Sequence, residues 1–226
     1  MTIKTKNKMI KYKENIMKRW FLRTAILCSV LLFSMTTVVA GAKTTVAHPV
    51  DYMKGVAKYL VADLTKHQKN LSHKVVARII YERIIPHFDL GTMARSVMGR
   101  RYWRLATPAQ RSQFQREFTD MIVNTYAAAV EQYDGDKIKF HPMRADYGKY
   151  RLISVSSVVI RPNGNRISVR YKLRRFGNRW KVYDFSIESI SMVSSYRSQF
   201  SGVLHSKGVA GLIKRLKAHN RKVNES

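Results

Sequence analysis

Apolar positions recur at helical spacing over the first part of this chain, alternate over a middle part, and return to helical spacing at the end. Val50, Met53, Val56, Tyr59, Leu60 and Leu64 recur every three or four residues behind Pro49. Val75, Val76, Ile79, Ile80 and Ile84 do the same behind Ser72, a good N-cap residue. Pro86 ends that helix, and Asp89 can cap a short one that stops at Gly99. Thr107-Pro108-Ala109-Gln110 combines an N-cap, a first-turn proline and a capping-box glutamine. The apolar stripe from Phe114 through Tyr133 then predicts a helix over 108–132.

After the turn Asp134-Gly135-Asp136 the period falls to two. Runs 137–141, 150–160, 166–174 and 179–188 are rich in β-branched and aromatic residues, with Asn163-Gly164 and Gly177-Asn178 placed for hairpin turns. In the third run Ile167, Val169, Tyr171 and Leu173 alternate with Ser168, Arg170, Lys172 and Arg174, so one face is apolar and the other basic. Helical spacing resumes from Ser191 through Leu204, and again after Gly208 through Leu216. The order predicts an α+β fold: a helical layer packed on a curved antiparallel sheet of about four strands, enclosing an apolar cavity.

Charge changes this picture most. Among 226 residues there are 42 Lys+Arg and 14 Asp+Glu, a net charge of +28, which raises nucleic acid or an anionic membrane as a partner. Much of the N-terminal excess belongs to an address. Residues 1–23 are basic, residues 24–40 are apolar, and Ala40-Gly41-Ala42 offers a small-residue exit, which reads as a secretory signal peptide over 1–42. An uncleaved membrane anchor is the alternative, for which the run is short. Without residues 1–42 the net charge falls by seven to +21, and the single cysteine, Cys28, is gone. Residues 43–226 then form a single domain: a helical part 43–132, a sheet 133–190 and C-terminal helices 191–220. The remaining basic groups are spread along it, and no zinc-finger, helix-turn-helix or ribonucleoprotein motif accompanies them, so no nucleic-acid partner is expected.

Catalytic chemistry is sparse. There is no P-loop, nucleophile elbow or dinucleotide fingerprint, and the histidines lack metal-ligand spacing. His87 and Asp89 read better as a helix end and an N-cap than as a metal pair. Asp184, inside a strand, is the acid to watch. It is either a general base facing a cavity or, by preference, an outward acid paired with a Lys or Arg.

Two stretches carry a family resemblance. One is Ile84-Ile85-Pro86-His87-Phe88-Asp89, continuing through Val97-Met98-Gly99-Arg100-Arg101-Tyr102-Trp103 to Ala106-Thr107-Pro108-Ala109-Gln110-Arg111 and Thr125-Tyr126-Ala127. The other is Ile187-Glu188-Ser189-Ile190-Ser191-Met192-Val193-Ser194-Ser195-Tyr196-Arg197-Ser198-Gln199-Phe200. Both resemble the MlaC family of toluene-tolerance auxiliary proteins over roughly residues 50–220. Ser189 stands where a glycine is usual, and Ser195 where asparagine is common. The resemblance implies a periplasmic, non-enzymatic shuttle of the nuclear-transport-factor-2-like or cystatin-like kind, with phospholipid as cargo and no cofactor. It implies two partners: an inner-membrane ABC transporter complex with its lipid-binding domain subunit, and an outer-membrane lipoprotein–porin complex. A monomer is expected.

Such a carrier needs an apolar pocket for acyl chains. Candidate lining residues are Val97, Tyr102, Phe118, Ile122 and Tyr126 from the helices and Val155, Val169, Tyr171, Val182, Phe185 and Ile187 from the sheet; about half are expected to be ordinary core. Two rival readings remain. One is a small-molecule enzyme on a similar fold using Asp184 or Tyr126, and the other is a charge-driven polyanion binder.

Overall fold

A computed structural model describes residues 46–143 and 147–225. Residues 1–42, read from the sequence as a signal peptide, lie outside the described residues. Six helices are described: α1 (Pro49–His67), α2 (His73–Arg83), α3 (Leu90–Met98), α4 (Arg100–Leu105), α5 (Pro108–Val130) and α6 (Met192–Glu225). The strands β1 (Lys137–Phe140), β2 (Leu152–Ile160), β3 (Arg166–Phe176), β4 (Arg179–Ile187) and β5 (Ile190–Ser191) form one antiparallel sheet in sequential order. The architecture is α+β, and the sheet is open.

Local chemistry accounts for the helix ends. Ser72 Oγ accepts from the Val75 amide at 3.4 Å, and Asp89 Oδ1 accepts from the Thr92 amide at 3.1 Å. At the start of α5, Thr107 Oγ1 accepts from the Gln110 amide at 3.1 Å while Gln110 Oε1 accepts from the Thr107 amide at 3.0 Å. That completes the reciprocal capping box. Gly208 interrupts α6 with φ 63° and ψ −168°, a backbone state essentially reserved for glycine. The halves on either side thus present separate apolar faces.

The main core lies between α5, α6 and one end of the sheet. Phe114 and Phe118 stack at 5.6 Å, and Phe118 meets Tyr196 edge-on at 5.4 Å. Buried Asn220 donates to the Glu117 carbonyl at 2.9 Å and so fastens the far half of α6 to α5. Trp180 is fully buried, and its Nε1 donates to the Ala47 carbonyl at 2.9 Å, which fixes the chain ahead of α1 against β4. A second cluster, containing Leu64, Val76, Ile79, Ile80, Val123 and Ala127, joins α1 and α2 to α5.

β4 carries a bulge. Leu173 pairs with Val182 but Lys172 pairs with Asp184, so Tyr183 is an extra residue on β4. The bulge puts Phe185 opposite Tyr171 and Ile187 opposite Val169, on the apolar face, and puts Asp184 opposite Lys172 on the basic face.

Three details depart from the sequence-based expectation. The short strand β5 is a fifth strand: Ser191 pairs with Ser186 after a tight turn in which Glu188 and Ser189 have φ of 47° and 67°. Gly99 does not merely stop a helix; its φ of 79° lets the chain turn straight into α4. Tyr59 is 63% exposed, because it follows Val50 by nine residues, about two and a half helical turns, and so faces away from the stripe.

Removing the Thr107 hydroxyl with Thr107→Ala leaves a first-turn amide unpaired. It should cost about 1 kcal/mol and lower the thermal midpoint by about 3 °C, measured by circular dichroism.

Candidate functional site

Between the helical layer and the apolar sheet face lies a cavity of about 220 Å³. Its wall combines Met53, Val56 and Leu60 of α1 with Ile80 of α2 and Ile84 just beyond its end. The link Ile85–Phe88 and Met93 of α3 add to it, as do Ile122, Val123, Tyr126 and Val130 of α5. The sheet contributes Ile138 and Phe140 of β1, Val169 and Tyr171 of β3, and Val182, Phe185 and Ile187 of β4. Aromatic rings form much of the floor: Tyr126 meets Phe185 at 5.3 Å, Phe88 meets Phe185 at 6.0 Å, and Phe140 stacks on Tyr171 at 6.3 Å.

The inner end is closed by buried side chains such as Val56, Met93 and Val182. Leu60, Val130, Ile138, Val169 and Ile187 are only half-buried and form the rim.

The few polar groups in the wall are already engaged. Thr119 Oγ1 donates to the Gln115 carbonyl at 2.8 Å, and the Tyr126 hydroxyl donates to Met192 Sδ at 2.6 Å. The Tyr171 hydroxyl accepts from Ser157 Oγ at 3.4 Å, and His87 Nδ1 lies 2.7 Å from the Tyr52 hydroxyl. Burial pushes the phenols of Tyr126 and Tyr171 above their ordinary pKa of 10.0, so both stay neutral. Burial, helped by the nearby charge of Lys181, holds the His87 imidazole below its ordinary 6.5, so it too is uncharged at neutral pH. Among the described residues no carboxylate, lysine or arginine stands in the wall. Such a surface gains from covering hydrocarbon and offers little to a charged reactant.

Of the residues singled out from sequence, Ile122, Tyr126, Val169, Tyr171, Val182, Phe185 and Ile187 stand in this wall. Val97, Tyr102, Phe118 and Val155 do not. Phe118 turns to the aromatic cluster with Phe114, Tyr196 and Phe200. Val97 and Val155 are at most 1% exposed inside the main core, and Tyr102 packs against its edge. Sequence reasoning missed the α1 and α2 contributions. A signal was present: α2 carries adjacent apolar pairs, Val75-Val76 and Ile79-Ile80, which make its apolar arc wider than one helix contact requires.

Asp184 is 4% exposed and faces away from the cavity. Its Oδ2 accepts from Lys172 Nζ at 3.0 Å and from Ser191 Oγ at 2.9 Å, and its Oδ1 accepts from the Val193 amide at 3.2 Å. All of this serves the junction of β4, β5 and α6. The outward, paired reading of Asp184 is the one the geometry takes. Asp89 likewise caps α3 and pairs with Arg174 at 2.9 Å, while His87 turns to Tyr52. No group of three metal-ligating side chains occurs among the described residues.

Asp184→Asn removes the charge but keeps the shape; it should cost about 2 kcal/mol in urea unfolding and leave the contents of the cavity unchanged. His87 binds its proton more weakly folded than unfolded. Between the two pKa values the unfolded chain holds more protons, so stability is full above about pH 6.5 and falls as pH drops through that value. Thermal midpoints from pH 7.5 to 5 should decline less steeply in His87→Gln.

A family model described as MlaC protein matches residues 54–218. The toluene tolerance protein ttg2D of Pseudomonas putida is 29% identical over 191 residues, covering 83% of this chain and 84% of that one. The intermembrane phospholipid transport system binding protein MlaC of Haemophilus influenzae is 27% identical over 205 residues, covering 88% and 92%. Among solved structures, the phospholipid-binding protein from Ralstonia solanacearum, determined in complex with a phospholipid, superposes with a TM-score of 0.72 at 26% identity, covering 79% of this chain and 99% of that one. No described helix is long and apolar enough to cross a membrane. The family match spans most of the chain and the fold agrees with that of a solved phospholipid-binding protein, and the chain belongs to the MlaC family.

Proposed function

We propose that this protein is a periplasmic carrier of phospholipid, exported by a signal peptide over residues 1–42, with residues 43–226 as its single lipid-binding domain. The observation that carries the reading is the cavity. Its wall is almost wholly apolar, its polar groups are engaged within the protein, and its rim is half-exposed. Two of the similar proteins are named for phospholipid binding or transport, which supports the same cargo.

The physics of such a carrier is simple. Each methylene withdrawn from water contributes about 0.8 kcal/mol, so ten contribute roughly 8 kcal/mol, enough to extract a chain without a chemical step. Acyl chains would lie along Ile122, Tyr126, Tyr171 and Phe185, with the headgroup left at the rim beside Val169 and Ile187. Selection then follows the tails more than the headgroup. The carrier would exchange cargo with an inner-membrane ABC transporter complex, through its lipid-binding domain subunit, and with an outer-membrane lipoprotein–porin complex. It works as a monomer, with no cofactor and no catalytic residue.

Mass spectrometry of lipid extracted from the purified protein should find phospholipid at near one molecule per chain. Val169→Trp narrows the rim. Exclusion of two methylenes predicts about 15-fold weaker uptake from labelled vesicles at an unchanged unfolding midpoint. Protein that neither carries phospholipid nor acquires it from vesicles would refute the reading.

A further inference from the structure

The basic face of the sheet carries a second, chemically opposite feature. A depression of about 240 Å³ is lined by His141, Ser156, Ser168, Arg170, Ser186 and Ser189, with Ser157 and Val169 behind them. Register explains its shape: Arg170 on β3 lies directly opposite Ser156 on β2 and Ser186 on β4. One long cation therefore stands between short hydroxyl side chains. The depression is not part of the cavity, because Arg170 alternates along β3 with Val169 and Tyr171, which face the other way.

Along β3 the next two cations, Lys172 and Arg174, are satisfied, whereas Arg170, like Arg166 and Lys139 on the same face, has no acidic partner among the described residues. Lys172 binds Asp184, and Arg174 binds Asp89. Among the described residues the Arg170 guanidinium has no acceptor, and the hydroxyls of Ser156, Ser168, Ser186 and Ser189 have no side-chain or backbone partner. Ser186 is 8% exposed as a residue, and its unpartnered hydroxyl still reaches solvent at the depression. Among the described residues no carboxylate lines the depression; the Glu188 carboxylate, next along the chain, accepts from the Ser168 backbone amide. The edge is strained, since Glu188 and Ser189 are successive non-glycine residues in the left-handed region. The two-residue hairpin between β4 and β5 requires that backbone, and it fixes Ser189 at the edge of the depression.

We propose that this depression binds a phosphate-type anion, with the Arg170 fork on two oxygens and the serine hydroxyls on the others. A guanidinium matches a tetrahedral oxyanion bidentately, and hydroxyl donors complete it without adding charge. Apart from Val169 the lining side chains are Arg, His and Ser, a set that suits a phosphate group better than an acyl chain. The anion is therefore separate from any cargo in the cavity and does not depend on the cargo reading. Two sources share this chemistry: free phosphate, and the phosphate of a lipid headgroup at a membrane surface. Ile190 follows Ser189 and is 64% exposed, an apolar contact only the second source would use.

At one fixed salt concentration, inorganic phosphate is titrated calorimetrically, and phosphatidylglycerol vesicles are compared with phosphatidylcholine vesicles by sedimentation. At least one anionic probe should bind, about tenfold or more weakly with Arg170→Gln and only partly restored with Arg170→Lys. Inorganic phosphate binding unaffected by Ile190→Ser assigns a free-anion site. Binding of phosphatidylglycerol vesicles alone, weakened by Ile190→Ser, assigns a membrane contact. The extracted cargo and the unfolding midpoint should not change with Arg170→Gln. Absence of binding to both anionic probes overturns the proposal. So does equal weakening by Arg221→Gln on α6, which would reduce the effect to net charge.

Discussion

A buried carboxylate cannot stand without partners, and the way Asp184 meets that constraint organises the molecule. Leaving such a group unpaired would cost several kcal/mol. Its oxygens instead accept from Lys172 on β3, from Ser191 in β5 and from the Val193 amide in the first turn of α6. Three elements thus meet at one side chain, and the negative charge sits at a helix N-terminus, where the dipole favours it. This arrangement is possible only because Tyr183 is an extra residue. Without the bulge, Asp184 would follow Val182 into the apolar face and Phe185 would leave it. The same single insertion supplies the anchor on one side of the sheet and the aromatic floor of the cavity on the other.

The cavity exists because the apolar surface is divided. One cluster unites the start of α1 with α3, α5, α6 and the sheet, and the other unites the rest of α1 with α2 and α5. Both clusters contribute to its wall, Met93 and Phe185 from the first, Ile80 and Val123 from the second. A single close-packed core would be more stable, since apolar voids cost energy in proportion to their volume. The surrounding fasteners allow the void to persist. Asp89 links α3 to Arg174 and receives the chain through its own amide to the Val182 carbonyl at 2.8 Å, while Lys181 donates to the Pro86 carbonyl. The segment that closes one end of the cavity is therefore held by polar bonds to β3 and β4 and does not need to collapse inward.

Legibility from sequence followed the range of the interaction involved. The capping box at Thr107, the Asn163-Gly164 hairpin and the alternation along β3 depend on neighbours a few residues away, and all stand as the pattern implies. The bulge at Tyr183 leaves no local mark, because Val182-Tyr183-Asp184-Phe185 reads as ordinary alternation whichever residue is extra. Its consequence, Asp184 outward and Phe185 inward, was recoverable only from the cost of burying an unpaired acid. Phe118 and Ile122 lie one turn apart on the same stripe, yet one joins the aromatic cluster of α6 and the other lines the cavity. That difference is set by where α6 crosses α5, a fact of tertiary packing. The α1 and α2 contributions failed for a related reason: an apolar helix face reads the same whether it meets another helix or a void.

The basic excess finds part of its explanation in bonds that need no acid. With 14 carboxylates for 42 cations, most lysines and arginines cannot form ion pairs. Several are used on carbonyls and rings. Arg111 donates to the Trp103 carbonyl at 2.8 Å and lies over the Trp103 ring at 5.5 Å. Arg175 donates to the carbonyls of Gly177 and Gly148, and Arg174 lies over Phe176 at 4.7 Å. Guanidinium suits these roles because its planar fork stacks and donates at once. The charge that remains has a colloidal consequence. A protein with an apolar cavity open at its rim exposes a surface on which two copies would associate. Like charge on both opposes that encounter at a range of about 8–10 Å in physiological salt, before the apolar rims can touch. The basic coat and the apolar cavity are in this sense complementary: like charge keeps the open rims of two copies apart.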